Sequence, residues 1–149
     1  MISIVRTDES DMRFLALVEM LDRELAVRDG DEHAFYAQFN KPVGLNGVVV
    51  ALDGDEAVGC GAFKSHSEAE AEIKRMFVTT ANRGKRIAAR VLLELETWAA
   101  DLGFSGCVLE TGLKQPEAIA LYKREGYDVI PNYGQYAGIE NSICMKKTF

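Results

Sequence analysis

The stretch EIKRMFVTTANRGKRIAARVLL, Glu72–Leu93, carries the strongest pattern in the chain. An apolar-rich segment that ends at Val78 has the composition of a strand, a short basic loop follows, and apolar residues then recur at helical spacing from Ile87. A helix that begins directly after a tight loop presents unpaired backbone N–H groups, which attract anions. The order of strand, loop and helix therefore predicts a phosphate-binding loop at Arg83–Ala88.

This loop is basic although the chain is acidic. The 149 residues include 17 Lys and Arg against 23 Asp and Glu, a formal net charge of −6. Arg83, Lys85, Arg86 and Arg90 lie close together, and no carboxylate falls between Thr79 and Leu93. Neither the Walker nor the Rossmann glycine pattern is present. On composition alone, a solvated basic helix start with no ligand therefore stays open.

Length and composition bound the class of protein. A chain of 149 residues with 48% hydrophobic and 27% charged residues is expected to form one globular domain, 1–149. The net negative charge argues against nucleic acid and anionic membrane surfaces as partners. No apolar run reaches the ~20 residues of a membrane span, and the N-terminus lacks a signal-peptide pattern. Three widely spaced cysteines, Cys60, Cys107 and Cys144, indicate buried, reduced thiols in a cytoplasmic protein and no metal site.

The remaining periodicities predict a mixed α/β sheet rather than a doubly wound one. Helices are predicted from the Thr7–Ser10 cap region to Gly30, over Asp31–Phe39, over Ile87–Leu102 and over Pro116–Glu125. Strands are predicted at Ile2–Arg6, Val48–Leu52, Ala57–Phe63, Glu70–Val78, Cys107–Leu109, Tyr127–Ile130 and Ile143–Lys146. The acidic turn Asp53-Gly54-Asp55 joins the second and third of these strands into a hairpin.

Two motifs together resemble the GNAT superfamily of acetyl-CoA-dependent N-acetyltransferases. Arg-Gly-Lys-Arg-Ile-Ala at Arg83–Ala88 is similar to that family's loop signature, Gln/Arg-x-x-Gly-x-Gly/Ala, but Arg86 stands where glycine is usual. The second motif is Ala-Ile-x-Leu-Tyr-x-x-x-Gly-Tyr at Ala118–Tyr127, and the similarity spans roughly Glu70–Val129. The resemblance implies a central mixed, mostly antiparallel sheet of six or seven strands flanked by about four helices.

The resemblance also implies roles for individual residues. Glu72 matches the general base and Tyr122 matches the tyrosine near the thioester sulfur, whereas Gln115 replaces the usual asparagine. The implied cofactor-binding residues are Met76, Phe77, Val78, Arg83, Gly84, Lys85, Arg86, Ile87, Ala88 and Gln115. Among these, the backbone of Met76 matches the oxyanion donor. The implied co-substrate is acetyl-CoA, and the implied partner is a small-molecule or peptide amine. The net negative charge of the chain mildly favours a cationic acceptor.

Other interpretations stay open. Glu72 can instead be an exposed strand carboxylate paired with Lys74. Strict alternation puts Glu72, Lys74, Met76 and Val78 on one face of the strand, with Ile73, Arg75 and Phe77 on the other, a mixed pattern that a bulge would explain. A non-catalytic acyl-CoA-binding module, or a small-anion or nucleotide-binding domain, would keep the loop without the chemistry.

Weaker candidates lie outside the two motifs. His33 and His66 can each act as an acid or base near neutral pH. The segment Glu110–Gly112 and the aromatic turn with Tyr133 and Tyr136 can face the substrate, although capping and packing are their commoner uses. An exposed strand at the edge of the sheet could pair with a second copy, so a homodimer is a further expectation.

Overall fold

The computed structural model describes residues 1–30 and 44–149. The predicted helix Asp31–Phe39, with His33, lies outside the described residues. The elements are β1 (Ile2–Thr7), α1 (Met12–Asp29), β2 (Gly47–Asp53), β3 (Glu56–Ser65), β4 (Glu70–Val78), α2 (Ile87–Asp101), β5 (Gly106–Gly112), α3 (Pro116–Arg124), β6 (Asp128–Ile130) and β7 (Ser142–Thr148). Every strand and helix predicted within the described ranges is therefore present, with boundaries shifted by a few residues at most.

One seven-stranded sheet organises the chain, in the order β1-β2-β3-β4-β5-β7-β6. All neighbouring strands are antiparallel except β4 and β5, which run parallel. The predicted mixed, mostly antiparallel sheet is confirmed. Of the four expected helices, three lie within the described ranges.

Helices cover both faces of the sheet because each has an apolar stripe at helical spacing. On one face, Val91, Leu92 and Leu95 of α2 are buried against strand residues such as Val49 and Ile73. On the opposite face, α1 packs on the sheet through a second apolar cluster: Phe14, Leu17, Val18, Leu21, Val48, Val50, Cys60, Ala62 and Phe77. The three cysteines are buried and free, as predicted. None of the helices in the described ranges is long and apolar enough to cross a membrane.

The N-terminal cap of α1 is Asp11, not a residue of the predicted Thr7–Ser10 segment. The Asp11 carboxylate accepts a hydrogen bond of 2.8 Å from the Arg13 backbone N–H, and the Thr7 hydroxyl donates to the same carboxylate at 2.9 Å. The Arg13 guanidinium also donates to it at 2.7 Å. The helix begins at Met12, so the residue directly before it, Asp11, is the one placed to accept a hydrogen bond from an unpaired N–H of the first turn. The predicted segment Thr7–Ser10 ends one residue too early for this role.

A β-bulge in β4 overturns the predicted distribution of side chains on that strand. Cys60 pairs with Phe77 and Ala62 with Lys74, so the single residue Gly61 opposes two residues of β4. One of these two, Arg75, has a left-handed φ of 59°. The extra residue resets the alternation.

As a result, Met76 and Val78 lie on the opposite face from Glu72. Both pack against the cluster under α2, whereas Phe77 joins the cluster under α1. Gly61 permits this arrangement, because a Cβ on it would lie 2.5 Å from the Met76 sulfur. The predicted grouping of Glu72 with Met76 and Val78 is therefore wrong, and the bulge is the physical reason.

Candidate active site

The sheet opens between its two parallel strands. Pairing of β4 with β5 stops after Glu72 and Val108, whereas β5 continues to Gly112 in register with β7. Beyond Glu72, one edge of β4 therefore lacks a neighbouring strand and borders a gap. Two adjoining cavities fill this gap, and they share five lining residues: Leu21, Met76, Gln115, Ala118 and Tyr122.

The larger cavity, about 400 Å³, runs from the end of β4 to the start of α2. The predicted cofactor-binding residues line it with the exception of Lys85, whose ammonium instead donates to Asn82 at 3.2 Å. Arg86 is the N-cap residue of α2 and makes no side-chain capping bond. The first N–H groups of this 15-residue helix are therefore available to an anion, as the sequence predicted.

Arg86 adopts a backbone conformation that glycine adopts without strain. Its φ and ψ are 61° and 21°, in the left-handed helical region, where a Cβ is unfavourable. The preceding Gly84 also has a positive φ, of 82°. The loop therefore keeps the shape that a glycine would give it, and its exposed arginine side chain adds a positive charge at the cavity.

The other arginines of the loop are held by the protein itself. Arg83 donates to the Val78 carbonyl at 2.9 Å and to both carboxylate oxygens of Glu24 on α1, at 2.9 and 3.1 Å. Arg90 points away from the cavity and donates to the Ile2 carbonyl at 3.2 Å. The predicted basic cluster therefore contributes Arg83 and Arg86 to the cavity, and Arg83 is partly neutralised there.

The smaller cavity, about 100 Å³, contains charged side chains that are almost entirely buried. Glu72 is 3% exposed, which excludes its interpretation as an exposed strand carboxylate. The Tyr133 hydroxyl donates to Glu72 Oε2 at 2.7 Å. Two ammonium groups face Oε1, with Nζ of Lys74 at 3.7 Å and Nζ of Lys64 at 4.0 Å. One carboxylate oxygen thus accepts a hydrogen bond from a hydroxyl, while the other lies within ion-pair range of two ammonium groups.

Tyr122 of α3 lies where the two cavities meet. Its ring packs edge-on against Tyr127 with centroids 5.8 Å apart, and the Tyr127 hydroxyl donates to the buried carboxylate of Glu96 at 2.8 Å. Burial, and then the charge of Glu110, raise the pKa of Tyr122 above its usual range. The hydroxyl is therefore protonated at neutral pH and is able to donate a hydrogen bond into the cleft.

Several weaker candidates also reach the smaller cavity. Glu110, Thr111, Gly112 and Tyr136 line it. Tyr133 contacts Glu72 as described above, and burial followed by the charge of Glu72 raises its pKa, so it remains a hydrogen-bond donor. The His66 ring lies tilted against the ring of Tyr133, with centroids 4.6 Å apart, so this exposed histidine is one side chain away from Glu72.

Two residues of the site, Lys74 and Glu24, were not singled out from the sequence. Lys74 was considered only as a partner of Glu72, and Glu24 was not considered, whereas Tyr133 was a weaker candidate. A signal for Lys74 was present, because a lysine in the middle of an otherwise buried strand is unusual. Glu24 contacts Arg83, 59 residues further along the chain, and Tyr133 contacts Glu72, 61 residues before it. The local sequence carries no signal for contacts between such distant residues.

Comparisons with known proteins agree with this geometry. The model of the acetyltransferase (GNAT) family matches residues 14–127. An IAA acetyltransferase of Azospirillum brasilense is 33% identical over 98% of this chain and 97% of its own length. A Klebsiella pneumoniae structure assigned as an acyl-CoA N-acyltransferase is 30% identical, with a TM-score of 0.83 over 99% of this chain and 97% of its own. A PaiA N-acetyltransferase from Thermoplasma acidophilum, solved with coenzyme A, shares the fold at 18% identity, with a TM-score of 0.73 over 100% of this chain and 99% of its own.

Proposed function

The chain belongs to the GNAT family of acetyltransferases, and from this premise we propose that it transfers the acetyl group of acetyl-CoA directly to a primary amine. The observation that carries the proposal is the meeting of two cavities at Met76 and Tyr122. One cavity ends at an uncapped helix N-terminus, and the other contains a buried carboxylate. This arrangement suits a direct transfer between two substrates that are bound at the same time.

The larger cavity is the proposed site of acetyl-CoA. In this proposal the N-terminus of α2 and the guanidinium of Arg86 bind the pyrophosphate, since both attract anions. The unpaired edge of β4 at Met76–Val78 offers backbone groups to the pantetheine arm. This places the thioester near Tyr122 and Met76, where the backbone N–H of Met76 is the proposed donor to the oxyanion.

Glu72 is the proposed general base. An amine with an ordinary pKa near ~10.4 arrives protonated and must lose a proton before it attacks the thioester carbonyl. Glu72 Oε1 receives this proton, directly or through one water, while Oε2 stays bonded to Tyr133. A positioned base of this kind contributes about 10²–10⁴-fold to the rate.

Tyr122 is the proposed acid for the leaving group. The amine nitrogen forms the new C–N bond and releases its second proton to solvent, the C–S bond breaks, and the sulfur takes the electron pair. The sulfur then receives the Tyr122 hydroxyl proton, and the tyrosine is reprotonated from solvent. The raised pKa keeps the Tyr122 hydroxyl protonated at neutral pH, so it is a hydrogen-bond donor to the sulfur as negative charge develops there, but it also makes the proton transfer harder than for an exposed tyrosine.

Calorimetric titration with acetyl-CoA, CoA and ADP tests the binding step. We expect saturable binding of acetyl-CoA and CoA, both much tighter than that of ADP. An amine screen by thiol release then tests the reaction, with IAA added to the screen because the Azospirillum brasilense relative is named for it. Binding without turnover on any acceptor would instead favour a non-catalytic acyl-CoA-binding module.

Two substitutions test the roles of the residues. Glu72→Gln keeps the shape and should lower kcat by at least about 10²-fold at neutral pH, with acetyl-CoA affinity unchanged. Tyr122→Phe should lower kcat while leaving that affinity nearly intact. Unchanged turnover in Glu72→Gln would reject the base, and a pure loss of affinity in Tyr122→Phe would reassign that residue to cofactor packing.

A further inference from the structure

The smaller cavity holds a buried ammonium group whose charged partner among the described residues lies beyond hydrogen-bond distance. The side chain of Lys74 is 6% exposed and lines this cavity. The nearest charge to its Nζ is Glu72 Oε1 at 3.7 Å, which is within ion-pair range but beyond a hydrogen bond. Within residues 1–30 and 44–149, this ammonium forms an ion pair with Glu72 but no hydrogen bond to it. Its three N–H donors are therefore available to a molecule in the cavity.

Burial without such a bond is costly for a charge. In agreement, burial is the first cause that lowers the pKa of Lys74, ahead of the opposing effect of Glu72. An anion bound at Nζ would remove this cost by supplying a charge-assisted hydrogen bond. The neighbouring Thr111 is also buried, at 5% exposure, and adds a hydroxyl to the lining of the same cavity.

The charges that the described residues place around the cavity are nearly balanced. Glu72 and Glu110 are opposed by Lys74 and Lys64, while Arg75 is paired with Asp22 of α1. A monocation bound there would leave a surplus of positive charge in a buried space. A zwitterion adds no net charge, and it matches the arrangement with its ammonium at Glu72 and its carboxylate at Lys74. These local charges, and not the net charge of the chain, face the acceptor.

We propose that Lys74 binds a carboxylate of the acceptor, so that the amines acetylated by this enzyme are small amino carboxylates of the amino-acid class. This inference rests on the proposed acetyl transfer, since it assigns the acceptor of the same site. The smaller cavity, bounded by residues of α1, β4, β5 and α3, suits a small acceptor. The carboxylate at Lys74 orients the amine towards Glu72 and the thioester.

The test compares matched pairs of amines in steady-state kinetics. Each pair consists of an amino acid and its decarboxylated amine, assayed by thiol release with saturating acetyl-CoA. The wild-type enzyme should prefer the amino acid by at least tenfold in kcat/KM. Lys74→Met should reduce this preference to less than about threefold, mainly through a higher KM for the amino acid.

Lys64→Met is the matched control. Lys64 is a similar distance from the same oxygen of Glu72, at 4.0 Å, but its side chain is 39% exposed and does not line the cavity. The control should therefore retain the preference. Equal kcat/KM for both members of the pairs in the wild-type enzyme, or equal loss of preference in the two variants, would overturn the proposal.

A binding measurement separates this inference from the proposed function. N-acetyl amino acids and N-acetyl amines of the same length are titrated into the protein with CoA present. Tighter binding of the N-acetyl amino acids, lost in Lys74→Met and kept in Lys64→Met, supports the carboxylate site even if no turnover is found. Equal binding of both products overturns it even if acetyl transfer is observed.

Discussion

Replacing Arg86 with glycine should stabilise the protein while weakening its binding of CoA. The left-handed conformation of this residue, with a φ of 61°, costs a non-glycine residue about 1–2 kcal/mol. Glycine removes that cost but loses about 0.5–1 kcal/mol in backbone entropy on folding. The difference predicts a gain of about 0.5–1 kcal/mol in the free energy of unfolding. For a domain of this size, that gain raises Tm by about 1–4 °C.

The effect on CoA affinity should have the opposite sign. The Arg86 side chain is exposed at the cavity and has no hydrogen-bond partner among the described residues, so its guanidinium is available to a phosphate. Losing one such charge-assisted contact at an exposed position should cost about 1 kcal/mol, or roughly fivefold in Kd. The loss should shrink at high salt, because the contact is exposed to screening.

Arg86→Ala separates the two causes. Alanine removes the guanidinium but keeps the Cβ, and with it the strain. It should therefore lose CoA affinity to the same extent as Arg86→Gly and gain no stability. Thermal unfolding and calorimetric titration of the three proteins measure both quantities. Equal Tm values for the glycine and alanine variants would refute the strain argument, and an unchanged Kd in both would refute the phosphate contact.

Three further predictions concern other parts of the molecule. Glu24→Gln frees Arg83 and should tighten CoA binding by about two- to fivefold at low salt. The control Glu19→Gln breaks the exposed pair with Arg23 elsewhere on α1 and should leave CoA binding unchanged. Equal effects of the two variants would contradict the role of the Glu24–Arg83 pair. Asp11→Ala should cost about 1–2 kcal/mol of stability. The hydrogen bond from the Arg13 side chain holds the pKa of Asp11 below its unfolded value near ~3.9. The difference in Tm between the variant and the wild type should therefore be full above that pH and shrink as the pH falls through the folded pKa. A difference in Tm that persists at the lowest pH would reject the cap. Burial raises the pKa of Cys60 and Cys107 to about 12. Both thiols should therefore resist a disulfide reagent at pH 8 until the protein is unfolded. Rapid labelling of the native protein would contradict their burial.

The elements of this fold could be predicted because their signals are local. The apolar spacing of Val91, Leu92 and Leu95 needs only one helix to be recognised, and the turn at Gly54 needs only its two flanking strands. The loop proposed to bind phosphate is local in the same sense, since the available N–H groups come from the start of α2. The residues that the sequence assigns to cofactor binding therefore lie together along the larger cavity, with Lys85 as the exception.

The bulge in β4 marks the limit of this kind of prediction. The mixed alternation around Arg75 indicated an irregular strand, but the position of the extra residue depends on pairing with Gly61 of β3. One residue of slip exchanges the faces of every later side chain. Met76 and Val78 were therefore assigned to the face of Glu72, although they pack under α2.

The smaller cavity depends on still more distant contacts, and its chemistry follows from them. The unpaired edge of β4 exists because the parallel ladder stops at Glu72, and Tyr133 reaches Glu72 from a turn near the end of the chain. These contacts bury the carboxylate and leave the Lys74 ammonium at ion-pair distance from it, beyond a hydrogen bond, which is why the site is suited to an acceptor of mixed charge. A motif that resembles a family therefore points to the proposed co-substrate site, whereas the proposed choice of acceptor rests on side chains that are brought together by the register of this particular sheet.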